Sequence, residues 1–421
     1  MYSTNEKIKD DETVYVGIDW AHSKHNIVVR YIDKQTEHEI ENEAALLFHW
    51  FDGLVETFTG KKIKVAIENN HNFIMNILAS YQKLHTFTIH PTTAGQFRKA
   101  FTPSGAKSDY ADAIDLIDLL KKHPEKIKRY KLQKDTDLLI SYSKTRRDLV
   151  DQRTRLTNQL TAYLRDLNPA GLELFDKLHA PICLDFLEKW PTAKSLCRTP
   201  LNQVSRFLNS RTSKKSKTKE RIDYIKTMKF VELEEKQYKM KVFQVLLLVR
   251  QIKGMNEYIK DIEGEIKAQY IVNEDYEIIN SIPGVGVVTG ARLIGFLGND
   301  RDRFNSPEEM LVCSEIAPVT VQSGKTKNIR RRYLCDKFTQ LTFTEIAELF
   351  RLNSLLGQAM YHHEKKVKKK THHVALRAIA YKLIRMIYFC WKNRVCFDEQ
   401  KQIAHLKKMG SPVVNNILEA C

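Results

Sequence analysis

The stretch from Val14 to Asp33, VYVGIDWAHSKHNIVVRYID, is two apolar runs joined by a short polar turn. Val14, Tyr15, Val16 and Ile18 suit a buried strand, yet an aspartate, Asp19, closes that run. A carboxylate there is costly unless a partner compensates it. The second run, NIVVRYID, predicts a strand hairpin-paired with the first.

Working outward, TEHEIEN predicts a third strand and EAALLFHWFDGLVETF a helix. KIKVAIEN is again a strand, NFIMNILASYQKL a helix, TFTIHP a short strand, and SDYADAIDLIDLLKKH a helix ended near Pro124. Two hairpin-linked strands and a third, followed by α-β-α-β-α, is the element order of an RNase H-like domain. In such a sheet the strand ending at Glu68 lies beside the strand ending at Asp19, so both carboxylates meet at one edge. The helix from 109 has an apolar stripe through Ala113, Leu116, Ile117 and Leu120. One turn back that stripe reaches Asp109 and Asp112, which are expected to face the sheet, while Asp115 and Asp118 rotate toward solvent. Any one of these aspartates could be a surface charge, and Asp109 a helix cap. Four acids together cannot all stay ionised without a cation. Their hard oxygens call for Mg2+ or Mn2+, and paired ions would suit phosphodiester chemistry.

The 421 residues allow two or three domains. Lys and Arg exceed Asp and Glu by 68 to 51, a net charge of +17. A surplus that large points to a polyanion, and nucleic acid is a commoner partner than a membrane surface. The polar start, MYSTNEKIKDDE, does not read as a signal peptide, and the longest apolar run, VFQVLLLV, is too short to span a membrane. Seven cysteines are scattered with no C-x-x-C pair. Reduced thiols and a cytoplasmic setting are the expectation. The histidines of YHHEKKVKKKTHHVAL fit no common zinc spacing, and the stretch reads as a basic patch.

From about 135 to 168 and from about 231 to 269 the spacing predicts two long charged helices, expected to pair as an antiparallel coiled coil. Between them RTSKKSKTKER, with Lys214, Lys215 and Lys217, reads either as a solvated loop or as a phosphate-binding one. Further on, YEIINSIPGVGVVTGARLIGFL places Gly284 and Gly286 in a turn between two helical stretches. That is either a helix-hairpin-helix whose amides meet a phosphate or a Gly-rich helical turn. Helical sequence is expected from there to about 394, then a polar tail.

Here the chain resembles a family. VGIDWAHSKHNIVV, AIEN and KSDYADA look like the D–E–D–D blocks of the RuvC-like domain in transposases of one family of bacterial insertion sequences, the bridge-RNA-guided recombinases. On that match Asp19, Glu68, Asp109 and Asp112 are the metal-binding acids. IPGVGVVTGARLIGFLGNDRDRF and IAPVTVQSGK are similar to the family's P-G-I-G and A-P-x-x-x-x-S-G blocks, which makes Ser323 the nucleophile. A serine hydroxyl needs deprotonation and a cationic setting to attack phosphorus. Lys325, Lys327, Arg330, Arg331 and Arg332 would supply the cations.

The resemblance implies an α/β plus α chain. A RuvC-like, RNase H-like catalytic domain would cover 1–134 and a coiled-coil domain with a basic insertion 135–272. A mostly helical transposase domain would cover 273–395, with the polar tail over 396–421. It further implies target and donor DNA, a structured noncoding guide RNA, and a homodimer assembling into a tetramer whose subunits share the acids and the serine. Two alternatives stay open. One is a junction-resolving metal nuclease in which Ser323 is structural, and the other is a non-catalytic nucleic-acid-binding protein.

Overall fold

Two apolar runs buried almost throughout make Thr13–Asp19 (β1) and Lys24–Tyr31 (β2) an antiparallel hairpin, with Val16 opposite Val29. Lys34–Glu41 (β3) joins β2 antiparallel. Ala44–Thr57 (α1) then crosses to Lys62–Glu68 (β4), which lies parallel to β1. Asn72–Ser80 (α2) crosses to Leu84–Ile89 (β5), parallel to β4. Parallel neighbours cannot be joined by a tight turn, so each crossover carries a helix. The mixed five-stranded sheet has the order β3-β2-β1-β4-β5, with β1 at its centre.

Pro91–Phe101 (α3) and Asp109–Lys122 (α4) complete this part of the chain. On one face of the sheet Val14, Val16, Ile18 and Ile67 pack with Leu47 and Phe51 of α1 and Ile74 of α2. On the other face Tyr15, Val28, Ala66 and Ile89 pack with Ala94 of α3 and Ala113, Leu116, Ile117 and Leu120 of α4. Burial on both faces explains why β1 and β4 are nearly continuous apolar runs. The sequence reading contained no counterpart of α3.

The structure is a computed structural model that describes residues 12–68, 72–101, 109–130, 134–211, 215–231, 234–324, 326–330, 332 and 335–413. At 72, 92, 109, 134, 215–217, 323 and 327 it describes the backbone alone. Two compact units divide between Leu132 and Gln133. No helix among the described residues is long and apolar enough to cross a membrane.

The second unit opens with Lys134–Leu167 (α5), followed by short helices at Ala170–Glu173 (α6), Pro181–Lys189 (α7), Ala193–Cys197 (α8) and Leu201–Asn209 (α9). Lys215–Thr227 (α10) and the long Glu235–Ile271 (α11) come next. α5 and α11 run antiparallel, tied by Arg146 to Glu263 at 2.6 Å, Arg153 to Asn256 at 2.9 Å, and Lys241 to Asp166. Leu160, Leu164, Val245 and Ile252 enclose one end of that pair with Phe186, Trp190 and Leu208. α10 corrects the loop reading of the basic run. Thr218 and Ile225 are buried and Ile222 packs on the same cluster, an i, i+4, i+7 stripe masked by the lysines between them.

The rest is Tyr276–Asn280 (α12), Val287–Leu297 (α13), Pro307–Cys313 (α14), the antiparallel strands Val319–Ser323 (β6) and Thr326–Arg330 (β7), and Lys337–Asn353 (α15). Leu355–His362 (α16) runs into a π-helical turn, His363–Val367, before His372–Asn393 (α17) and Glu399–Lys408 (α18). The β6–β7 hairpin replaces the helix expected there. The stretch read as a polar tail carries α18, and its buried Phe397 and Val413 join the core around Trp391. Glu399 also accepts hydrogen bonds from Ser354 Oγ at 2.6 Å and the Leu356 amide at 2.7 Å.

Candidate active-site residues

Gly17 decides how the first group of acids is assembled. A Cβ there would lie 2.0 Å from the Ala113 carbonyl oxygen, so the backbone of α4 rides directly on β1 at this point. Ala66, fully buried, is the register partner of Gly17 on β4 and continues the same shallow bed. Further back along β1, Lys121 near the end of α4 sits 5.0 Å from the Tyr15 ring. α4 therefore runs opposite to β1, and its first turn comes level with the strand's last residue, Asp19.

Ile18 pairs with Ile67 in the parallel register, so Asp19 and Glu68, each one residue on, occupy neighbouring positions at the strand ends. Parallel neighbours stand about 4.8 Å apart. Both residues are half-buried. Asp109 opens α4, and the positive end of the helix dipole favours carboxylates there.

Asp112 is buried but turned aside. Its Oδ1 lies 2.8 Å from Arg98 of α3, at ion-pair distance but without hydrogen-bond alignment. The same guanidinium reaches Asp115 at 3.7 Å. Burial pushes the Asp115 carboxyl up, Arg98 pulls it back, and the charges of Asp112 and Asp118 push it up again. Asp118 binds Arg30 of β2 at 2.7 Å and Lys122 at 3.5 Å. Asp115 and Asp118 are thus both partly enclosed, not solvent-facing as the helical rotation suggested. α3 covers one flank of α4, and the long Arg30 side chain reaches the other.

The turn after Asp19 is pinned by His25, which is fully buried. Its Nδ1 accepts from the Ala21 amide at 3.4 Å, which leaves Nε2–H to donate to Asn42 Oδ1 at 3.1 Å. Asn42 in turn donates to the His22 carbonyl at 3.0 Å. Burial pushes the His25 pKa down, against the hydrogen bond to Asn42.

Asp19 and Glu68 are hard oxygen donors of the kind Mg2+ takes, and that ion is often held by only one or two carboxylates. Among the described residues no group of three or more His, Cys, Asp or Glu side chains could hold a metal, and Asp112 is paired with Arg98. The pair fits a divalent cation in chemistry, and the set of four is not assembled among the described side chains. Arg98 and Asn42 were missed in the sequence. Pro91 at a helix start with Ala94, Phe97 and Phe101 at helical spacing was the available signal for α3.

Ser323 ends β6 and pairs with Thr326 across a two-residue turn whose first member, Gly324, has φ +55°. Such turns need a positive φ at that position. Val321, Gln322, Gly324, Thr326 and Asn328–Arg330 are exposed, so the hairpin tip is open to solvent. Of the five cations expected beside Ser323, Arg330 is exposed and Lys327 belongs to β7. Arg332 is half-buried with its Nε 3.4 Å from Glu315, which ties down the hairpin base. Lys325 and Arg331 lie outside the described residues, as does Lys214 of the basic run. Lys215 and Lys217 belong to the first turn of α10.

The Gly284–Gly286 turn is closely packed. Gly284 has φ +83°, and a Cβ there would fall 2.6 Å from the Leu349 carbonyl oxygen of α15. The Val285 amide donates to the Ile282 carbonyl and the Gly286 amide to Thr289 Oγ1, both at 3.1 Å. These two amides already have acceptors within the chain, which favours the packing reading of the glycines.

Two family models match the chain. One, described as a transposase with the D–E–D–D label, covers residues 16–169, and one described as "Transposase IS116/IS110/IS902 family" covers 276–361. The chain is 26% identical over 414 residues to the "Mini-circle putative transposase for IS117" of Streptomyces coelicolor, spanning 94% of this chain and 98% of that protein. It is 23% identical over 403 residues to the "Insertion element IS900 uncharacterized 42 kDa protein" of Mycobacterium paratuberculosis, spanning 92% and 97%. Over 189 residues it is 30% identical to the "Insertion element IS116 uncharacterized 44.8 kDa protein" of Streptomyces clavuligerus, 44% of this chain and 46% of that one.

Proposed function

Because this chain belongs to the IS110/IS116/IS902 family of insertion-sequence transposases, we propose that it breaks and rejoins DNA strands through Ser323, assisted by the acids at Asp19 and Glu68. The observation that carries this reading is the coverage of the two matches. The first spans Asp19, Glu68, Asp109 and Asp112, and the second spans Ser323.

The strand order β3-β2-β1-β4-β5 supports an RNase H-like catalytic domain, and the antiparallel α5–α11 pair supports the coiled coil. Ser323 loses its proton and bonds phosphorus, one bridging P–O bond breaks, and the departing sugar oxygen gains a proton. A hydroxyl of the partner strand reverses these steps and rejoins the DNA. The open hairpin tip suits this role, because a phosphodiester must approach the hydroxyl in line. Arg330 and the lysines near it would neutralise charge on the pentacovalent phosphorus. Asp19 and Glu68, joined by Asp109 and by Asp112 once it leaves Arg98, would hold Mg2+ or Mn2+, which when bound polarises the scissile phosphate. A structured guide RNA and a tetramer of two dimers complete the proposal.

The test is Ser323→Ala. It is expected to abolish strand exchange and leave DNA binding within about twofold, because the phosphate contacts that dominate affinity are untouched. A protein–DNA adduct that survives denaturation is expected from the wild type alone. An adduct formed by the alanine variant would remove Ser323 as the nucleophile.

A further inference from the structure

Asn26 stands opposite Asp19 in the antiparallel register of β1 and β2. Residues directly opposed in such a pair project to the same face of the sheet. Their neighbours fix which face that is. Val28, two residues on, packs in the core beneath α4, and Arg30, two further, reaches Asp118 of α4. Asn26, Asp19 and Glu68 therefore form one row across β2, β1 and β4, on the side that α4 covers.

Asn26 is only 7% exposed, and its Oδ1 is buried with no hydrogen-bond donor among the described residues. A buried amide oxygen without a donor is costly, and a cation in the row relieves that cost. An amide carbonyl is also a hard, neutral oxygen of the type found in Mg2+ and Ca2+ sites. It adds a donor without adding charge, so the row keeps attraction left for a substrate phosphate.

We propose that Asn26 supplies its side-chain oxygen to the divalent-cation site at the Asp19–Glu68 edge. The proposal rests on the metal reading given under the proposed function. The competing role is structural, with the amide reversed so that its NH2 group faces the carboxylates.

Manganese binding to the full chain separates the two, measured by the electron paramagnetic resonance of free Mn2+ and by thermal unfolding with and without the ion. Asn26→Leu keeps the volume and removes the oxygen, and is expected to weaken Mn2+ binding roughly tenfold. Asn26→Asp keeps an oxygen and adds a charge. It is expected to unfold at lower temperature without metal, to recover with Mn2+, and to bind the ion more tightly than the wild type. Unchanged affinity in Asn26→Leu, or weaker affinity in Asn26→Asp, overturns the assignment and leaves the Asp19–Glu68 site standing. No Mn2+ binding by the wild type at millimolar concentration overturns both.

Discussion

Glu364 is almost fully enclosed, yet it stays ionised. Burial pushes its carboxyl up, but hydrogen bonds from Lys370 and Lys368 and the charge of Lys382 outweigh that and hold it at about 2. Two of the charges that made this stretch read as a basic patch, Lys368 and Lys370, are therefore paired with Glu364. A carboxyl held below its unfolded value stabilises above that value, and the contribution is lost as pH falls through about 2. Glu364→Gln leaves three ammonium groups without a counter-charge, and is expected to cost about 2 kcal/mol in urea unfolding at pH 7, since the lysines keep some water. His25 acts in the opposite chemical sense with the same pH trend. Burial holds its pKa below 6.5, against Asn42, and His85 is likewise lowered by burial and then by Arg129, Lys62 and Lys64. The unfolded chain then binds more protons below 6.5, so stability is fully present above that pH and falls as pH drops toward the folded values. The first unit is expected to have a lower urea midpoint at pH 5.5 than at pH 7.5. The fluorescence of Trp20, whose ring stacks on His25 at 6.0 Å, is the probe. His25→Gln should reduce that difference, and an unchanged difference would remove His25 from the account.

Among the elements, α4 rests on one glycine. Gly17→Ala sets a methyl group 2.0 Å from a backbone oxygen of α4, which no side-chain rotation relieves. The expected cost is about 3 kcal/mol in unfolding, with Mn2+ binding lost because the first turn of α4 moves off the strand ends. Gly53→Ala, where nothing lies within 4 Å, is the control and should be neutral or stabilising. That close approach also separates what the sequence made legible from what it did not. β1, β2 and β4 were readable because each buries a continuous apolar run, and Asp19 and Glu68 because they end those runs. α3 is weakly apolar, and its effect, Arg98 drawn onto Asp112, is a contact between helices that no local pattern encodes. The β6–β7 hairpin escaped for a different reason. It is exposed on both faces, so it carries no burial pattern, although the Ser-Gly pair at its turn was a usable signal. Asn26 escaped because a single amide in an apolar strand has meaning only once its opposite partner is known.

For the whole molecule, the net charge of +17 does not act as one field. Arg211 is bound by Asp185, Arg332 by Glu315, and Lys368, Lys370 and Lys382 by Glu364. What remains for a polyanion is spread over several elements, and no described helix pair was read as a base-reading module. Charge of this kind gives affinity without sequence preference. The protein alone is expected to bind duplex DNA of unrelated sequences within a few-fold of one another. If six phosphates are neutralised, affinity should fall on the order of 10³-fold between 50 and 200 mM salt. Specificity would then come from base pairing supplied by a guide RNA, the protein gripping backbone shape. The decisive measurement is recombination in a purified system treated with ribonuclease and then supplemented with the transcript that flanks the gene. Loss and recovery of site-specific recombination is the expected result. Undiminished, site-specific recombination by RNA-free protein would make the chain a direct reader of DNA. The search for its specificity would then move to the surfaces around the Ser323 hairpin and the basic first turn of α10.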